Sequence, residues 1–213
     1  MKPLSQCRLY TFIDTAFLRG RDPALLARQL CDGGSDLVQL RAKNCPPGEI
    51  LRLAAAIGPV LRRAGVGLVI NDHYDLARET GADFCHLGQE DFFGPGFTGV
   101  SQLMTDPSAP AIGLSTHAPR QAMRAVAASP AYVAIGPVYA TATKPGAKPV
   151  TLDYVRWAAA RLTLPWFAIG GINLGNVDQV VAAGARAVCA LSAILDAPDI
   201  AQACRQLRKR LPA

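Results

Sequence analysis

Tyr132 to Gly146 reads Y-V-A-I-G-P-V-Y-A-T-A-T-K-P-G, and its two halves carry different information. Tyr132 to Ile135 is a short apolar run stopped by Gly136 and Pro137. An apolar run between breakers describes a strand buried on both faces, the habit of parallel sheets covered by helices. Beyond the breaker come Thr141, Thr143 and Lys144, then Pro145 and Gly146. Hydroxyls, backbone N–H groups and an ammonium on one loop suit the oxygens of a phosphate. A surface loop that merely contains Thr and Lys would look the same. The other strand ends therefore have to decide. A buried parallel strand that delivers such a loop at its C-terminal end is the arrangement of an α/β active site.

The same unit recurs along the chain. Strands are expected at Arg8 to Ile13, Leu37 to Leu40, Gly67 to Ile70, Asp83 to His86, Ala111 to Leu114, Tyr132 to Ile135, Trp166 to Ile169 and Ala187 to Leu191. Helical patterns separate them. Asp22 caps the first, with Pro23 at its first position and an end at Cys31 before Gly33 and Gly34. Others are expected from Pro47 to Ala64, to about Thr80, from Pro119 to Ala128, Leu152 to Leu162 and Asn176 to Ala183, and on to about Leu211. Eight strands alternating with helices in 213 residues predict an α/β chain folded as a single (β/α)8 TIM barrel, one domain over 1–213. A flavodoxin-like open sheet normally has fewer units. Asp91 to Pro110 breaks the rhythm, because it is rich in Gly and Pro. It is expected to be a long loop where a helix would otherwise stand.

Half the residues are hydrophobic and only 7% are aromatic, which suits helices packed closely on a sheet. The net charge is +6. That balance fits polyanionic small substrates as well as nucleic acid. The densest basic run, Arg205, Arg208, Lys209 and Arg210, lies in a terminal amphipathic helix with no interleaved aromatics, so nucleic acid is not expected. The six cysteines show no C-x-x-C and no regular spacing, the pattern of a reduced cytoplasmic protein rather than a disulfide framework or zinc site. The N-terminus has no apolar h-region, so no secretory signal is expected. No apolar run approaches the roughly 20 residues that span a bilayer, so no membrane contact is expected. Oligomeric state is left open, and a homo-oligomer is compatible with the chain.

In such a barrel the chemistry sits at the C-terminal strand ends. The second strand leaves through V-Q-L-R-A-K, where Gln39, Arg41 and Lys43 alternate and so share one side. Arg41 supplies a bidentate fork for phosphate and Lys43 a point charge. The third leaves through I-N-D, with Asn71 and Asp72, and Asp72 could equally cap a helix. The fourth leaves through H-L-G-Q-E-D. Asp72 and Asp91 are then one carboxylate from each of two neighbouring strand ends. That is what Mg2+ accepts, leaving its other positions to water and substrate phosphate. The fifth leaves through G-L-S-T-H, where Ser115 is a phosphate contact and His117 a candidate base. The seventh ends in Gly170 and Gly171, and after the eighth Ser192 begins the last helix. Backbone N–H groups there form the phosphate cup recurrent in barrels, although paired glycines also serve a tight turn. The cup is one anion site, and Arg41, Lys43 and Lys144 form a second. Two sites imply two phosphorylated substrates, or one that carries two phosphate groups.

V-Q-L-R-A-K, I-N-D, H-L-G-Q-E-D, G-L-S-T-H, A-I-G-P-V-Y-A-T-A-T-K-P-G, A-I-G-G-I and L-S-A-I occur in the order seen in the thiamine phosphate synthase family, which the chain resembles over nearly its whole length. Q-E-D and T-x-T-K are the most specific elements, and the double Gly is shared by many barrels. The resemblance implies a transferase with two phosphorylated small-molecule substrates. It would join 4-amino-2-methyl-5-pyrimidinylmethyl diphosphate to thiazole phosphate and release pyrophosphate. Asp72 and Asp91 would hold Mg2+ against the diphosphate, which Arg41, Lys43, Ser115 and Lys144 would also bind. Gln39 and Asn71 would hold the pyrimidine, and Thr141, Thr143, Gly171 and Ser192 the thiazole phosphate. The family is thought to ionise the pyrimidine diphosphate before the thiazole nitrogen attacks, which calls for no protein nucleophile. The chain departs from the family pattern at Ala42, where Glu is usual, in the first strand, Y-T-F-I-D, and in the long Phe92 to Pro110 stretch. Two rivals share the fold: a thiazole tautomerase using His117, and a non-catalytic barrel that binds a phosphate ligand.

Overall fold

A computed structural model describes residues 1–104, 106–141 and 148–212. Thr143 and Lys144 lie outside the described residues. In chain order the elements are β1 (Leu9–Asp14), α1 (Thr15–Leu18), α2 (Pro23–Asp32), β2 (Leu37–Arg41), α3 (Pro47–Ala64), β3 (Gly67–Asn71), α4 (Tyr74–Glu79), β4 (Phe84–Leu87) and α5 (Gln89–Phe93). There follow β5 (Ala111–Thr116), α6 (Pro119–Ala127), β6 (Tyr132–Ile135), α7 (Thr151–Arg161), β7 (Trp166–Ala168), α8 (Val177–Ala182), β8 (Val188–Cys189), α9 (Ser192–Leu195) and α10 (Ile200–Arg210). Among the described residues the eight strands close into a parallel barrel in sequence order, with β8 returning to β1. The expected (β/α)8 architecture is what forms.

Local chemistry accounts for the frame. Asp22 accepts the Leu25 N–H and starts α2 with Pro23 at its first turn. α3 begins at Pro47, after Pro46, and ends on Gly65 at φ +68°, a left-handed position that glycine fills without Cβ strain. No helix among the described residues is long and apolar enough to cross a membrane.

Among the described residues two apolar groups form, separated by the strands. The larger lies between strands and helices and includes Ala42, 6% exposed. The departure at that position is thus a packing feature of this apolar layer. The smaller fills the barrel itself with Tyr10, Phe12, Leu37, Val69, Phe84, Tyr132, Phe167 and Cys189. Aromatics are scarce in the chain, yet five of these eight are aromatic. Tyr132 meets Tyr10, Phe84 and Phe167 edge-on, with ring centroids 5.4–5.9 Å apart. These rings plug the barrel floor.

Gly113 makes room for that plug. A Cβ at this position would stand 2.1 Å from Cζ of Tyr132. Gly113→Ala is expected to displace the ring and destabilise the fold by about 1–3 kcal/mol through overpacking. A melting temperature several degrees lower would register it, and an unchanged one would mean that the interior has slack.

In the stretch expected to be a loop from Asp91 to Pro110, residues 91–104 are more ordered than the composition implies. It opens inside α5 and contains a 3₁₀ turn at Val100–Gln102. Phe92 is fully buried, and Arg124 of α6 lies 3.8 Å from the centre of the Phe93 ring. The Val100 N–H bonds the Ala128 carbonyl at 2.9 Å, and the Tyr74 hydroxyl bonds the Leu103 carbonyl. The segment therefore packs along the flank in the place of a full helix. Gly94 and Gly96 belong to the Gly- and Pro-rich composition that suggested a loop, while Gly88, just before that stretch, is the N-cap of α5.

Candidate active site

Parallel strands in register bring alternate side chains to one interior face, and the upper end of that face carries the polar residues. Gln39 and Arg41 continue the inward row of β2 above Leu37. Asn71 does so on β3 above Val69, His86 on β4 above Phe84, and Ser115 on β5 above Gly113. One cavity at the C-terminal mouth is lined by Gln39, Arg41, Lys43, Asn71, Asp72, Asp91, Ser115, His117, Thr141, Gly171 and Ser192. Every described site residue expected from sequence is therefore gathered at one place.

Arg41 is not loose at the rim. Its Nη1 lies 2.5 Å from Oδ2 of Asp14, which is 1% exposed. Asp14 also accepts the Ala16 N–H at 2.9 Å and so begins α1. This buried partner was missed at the sequence level, where Y-T-F-I-D stood only as a departure. An Asp that ends one strand beside an Arg ending the next was the available signal.

Asp72 stands at φ +65°, a left-handed conformation that Asp tolerates better than most residues and that marks an imposed geometry. Its N–H is held by the His86 carbonyl at 2.9 Å. α4 has His73 as its N-cap and no side-chain cap among the described residues. The helix-capping alternative for Asp72 therefore falls away. Burial, and after it the neighbouring Asp91 charge, raise the Asp72 pKa, with Lys43 opposing. The Lys43 ammonium is 3.8 Å from Asp72. It is Asp91 that caps, taking the Gly88 N–H on Oδ2 at 3.0 Å.

At the other side of the mouth, Gly170 and Gly171 sit at φ +103° and +65°. A Cβ on Gly171 would meet the Ala140 carbonyl oxygen at 2.7 Å. The pair is needed for the turn as well as for the cavity. The helix after β8 differs from expectation. Ser192 begins only a four-residue turn, α9, and the final helix starts separately at Ile200. A single turn contributes a few N–H donors and little dipole.

His86 was quoted in its motif but given no role. It is 7% exposed, with Nδ1 3.1 Å from the Tyr132 hydroxyl and Nε2 2.8 Å from Ser115 Oγ. Burial, and secondarily the His117 charge, push its pKa down to about 4, so it is neutral near pH 7. His117 Nδ1 donates to the Gly136 carbonyl.

The family model described as thiamine monophosphate synthase matches residues 9–194. The thiamine-phosphate synthase of Thermus thermophilus is 47% identical over 180 residues, 84% of each chain. That of Acidothermus cellulolyticus is 43% identical over 213 residues, covering 99% of this chain and 97% of its own. Among solved structures, thiamine phosphate pyrophosphorylase from Pyrococcus furiosus superposes with a TM-score of 0.85 at 25% identity. That match covers 97% of this chain and 96% of the other.

Proposed function

The chain belongs to the thiamine monophosphate synthase family and makes thiamine monophosphate, and from that premise we propose how its residues divide the work. The substrates are 4-amino-2-methyl-5-pyrimidinylmethyl diphosphate and thiazole phosphate. Arg41, Lys43, Ser115 and Lys144 bind the diphosphate, Gln39 and Asn71 the pyrimidine, and Thr141, Thr143, Gly171 and Ser192 the thiazole phosphate. The observation that carries this division is the pair Asp72 and Asp91. Asp72 directly follows β3 and Asp91 stands in α5 just after β4, and both line the same cavity as Arg41 and Lys43.

The donor set fits Mg2+. Two carboxylates facing open space suit a hard cation that keeps its remaining positions for water and phosphate oxygens. When bound there, magnesium would neutralise charge on the departing diphosphate. The chain's own groups do the rest. Arg41, fixed by Asp14, presents donors of set direction. Lys43 adds charge at the rim. The aromatic floor closes the barrel to water from below. An ionising substrate needs no protein nucleophile, and the residues gathered at the mouth are those of an electrostatic clamp.

The tautomerase alternative requires no diphosphate subsite, and a binding-only barrel requires no acid pair; Arg41 and Lys43 beside Asp72 and Asp91 on one cavity support the synthase reading over both. Residues 1–213 serve as one domain in this proposal, since β1 and β8 from opposite ends of the chain close the same barrel.

The direct test is pyrophosphate release by the purified protein given both substrates, with and without Mg2+. Release is expected only when all three are present, and metal-independent release would remove the acid pair from the scheme. Mg2+ alone should also raise the melting temperature of the wild-type chain but not that of Asp72→Asn. An equal shift in both would locate the cation elsewhere.

A further inference from the structure

A line of hydrogen bonds crosses the barrel directly beneath the site. Gln39 Nε2 donates to the Tyr10 hydroxyl at 2.6 Å. The Tyr10 and Tyr132 hydroxyls are 3.0 Å apart. Tyr132 reaches His86 Nδ1, and His86 Nε2 reaches Ser115 Oγ. The line joins β2 to β5 through β1, β6 and β4. Tyr10 and Tyr132 are 1% and 0% exposed, and Gln39 is 3% exposed. Gly113, by omitting its Cβ, leaves the space in which the Tyr132 ring stands.

We propose that this chain runs in one direction, from the Gln39 amide to Ser115, and that Tyr10, Tyr132 and His86 are positioning residues that free the Ser115 hydroxyl proton for the diphosphate. The inference rests on the assignment of Ser115 to that subsite.

The direction follows from counting protons. An amide nitrogen only donates, so the Tyr10 oxygen accepts from Gln39. Tyr10 must then place its own proton, and among the described residues its one other partner is Tyr132. Were Tyr132 to donate to Tyr10 instead, a buried hydroxyl proton would be orphaned, which folded interiors avoid. Tyr10 therefore donates to Tyr132, and Tyr132 donates to Nδ1 of His86. That nitrogen must be bare. With Nδ1 taken as acceptor, the ring's proton sits on Nε2 and goes to Ser115 Oγ. Ser115 accepts from below and keeps its own proton to give to a ligand oxygen. Reversing the line would turn the Ser115 proton inward onto His86 and leave only lone pairs facing an anion.

The tautomer is measured on the unsubstituted protein. Histidine ring nitrogens labelled with 15N are observed near pH 7, and His86 is assigned by the signal lost in His86→Asn. The expected state is protonated Nε2 and bare Nδ1. Protonation at Nδ1, or at both nitrogens, overturns the proposal. Kinetics provide the second arm. Ser115→Ala should lower kcat about tenfold, and Tyr132→Phe about as much, with KM for thiazole phosphate unchanged in both. The double variant should be no slower than Ser115→Ala, because the line acts only through that hydroxyl. Losses that multiply, or wild-type kcat in Tyr132→Phe beside a slowed Ser115→Ala, overturn the relay alone. Wild-type kcat in Ser115→Ala instead removes Ser115 from the diphosphate subsite. If Tyr132→Phe does not fold, the tautomer of the native chain still decides.

Discussion

Asp91→Asn is expected to lower turnover by at least about a hundredfold while thiazole phosphate binds nearly as before. The size follows from the loss of a charge-assisted interaction worth roughly 3 kcal/mol or more in the step that releases pyrophosphate. Asn is the informative replacement because Asp91 has two duties. Its Oδ2 accepts the Gly88 N–H and so caps α5, and an amide oxygen can take over that bond. Only the charge is lost. Asp91→Ala removes both and should add a stability loss of about 1 kcal/mol, a few degrees in melting temperature. The two variants should therefore share the turnover defect and differ in stability. Titration calorimetry with thiazole phosphate supplies the control. The Gly170–Gly171 turn, proposed to hold the thiazole phosphate, lies after β7, across the mouth from the acid pair. If binding of thiazole phosphate fell as far as turnover in Asp91→Asn, the separation into two anion subsites would be wrong. If turnover survived, Asp91 would be a cap and nothing more.

The features that sequence exposes are those with a short period. The apolar run Tyr132–Ile135 and the helix Pro47–Ala64 stand where expected, because breakers and caps bound them locally. Gln39 and Arg41 share a face because strand side chains alternate, and this holds whatever the rest of the fold does. Ends set by neighbours are less legible. Ala187 to Leu191 shrinks to Val188–Cys189 because only that part finds ladder partners on β7 and β1. α5 was hidden by glycines, although the Gly88 and Asp91 cap was present in the letters. The least legible features are contacts across the barrel. Asp14 and Arg41 are 27 positions apart, and Tyr10 and Tyr132 are 122 apart. No window along the chain contains both partners. Tyr132 looked like one more apolar strand residue, and its hydroxyl acquires meaning only when closure sets it against Tyr10 and His86.

Arg41→Gln should unite a large loss of stability with a large loss of activity, and Asp14 explains why the two are separable. Asp14 is almost wholly buried and is held by Arg41 and the Ala16 N–H. Without the guanidinium its carboxylate is stranded. Breaking a buried pair from one side costs about 3–5 kcal/mol, roughly 10 °C in melting temperature for a chain of this size. Asp14→Asn, Arg41→Gln removes the stranded charge and should recover most of that loss. Turnover should not recover, because the guanidinium fork proposed to bind the diphosphate is still missing. Asp14→Asn alone leaves the guanidinium but loosens its anchor, so turnover should fall less, about tenfold. Melting temperature thus ranks the double variant above Arg41→Gln, while turnover leaves them level and places Asp14→Asn above both. Should turnover in the double variant rise along with its stability, Arg41 would be a structural ion whose partner had been mistaken for a ligand.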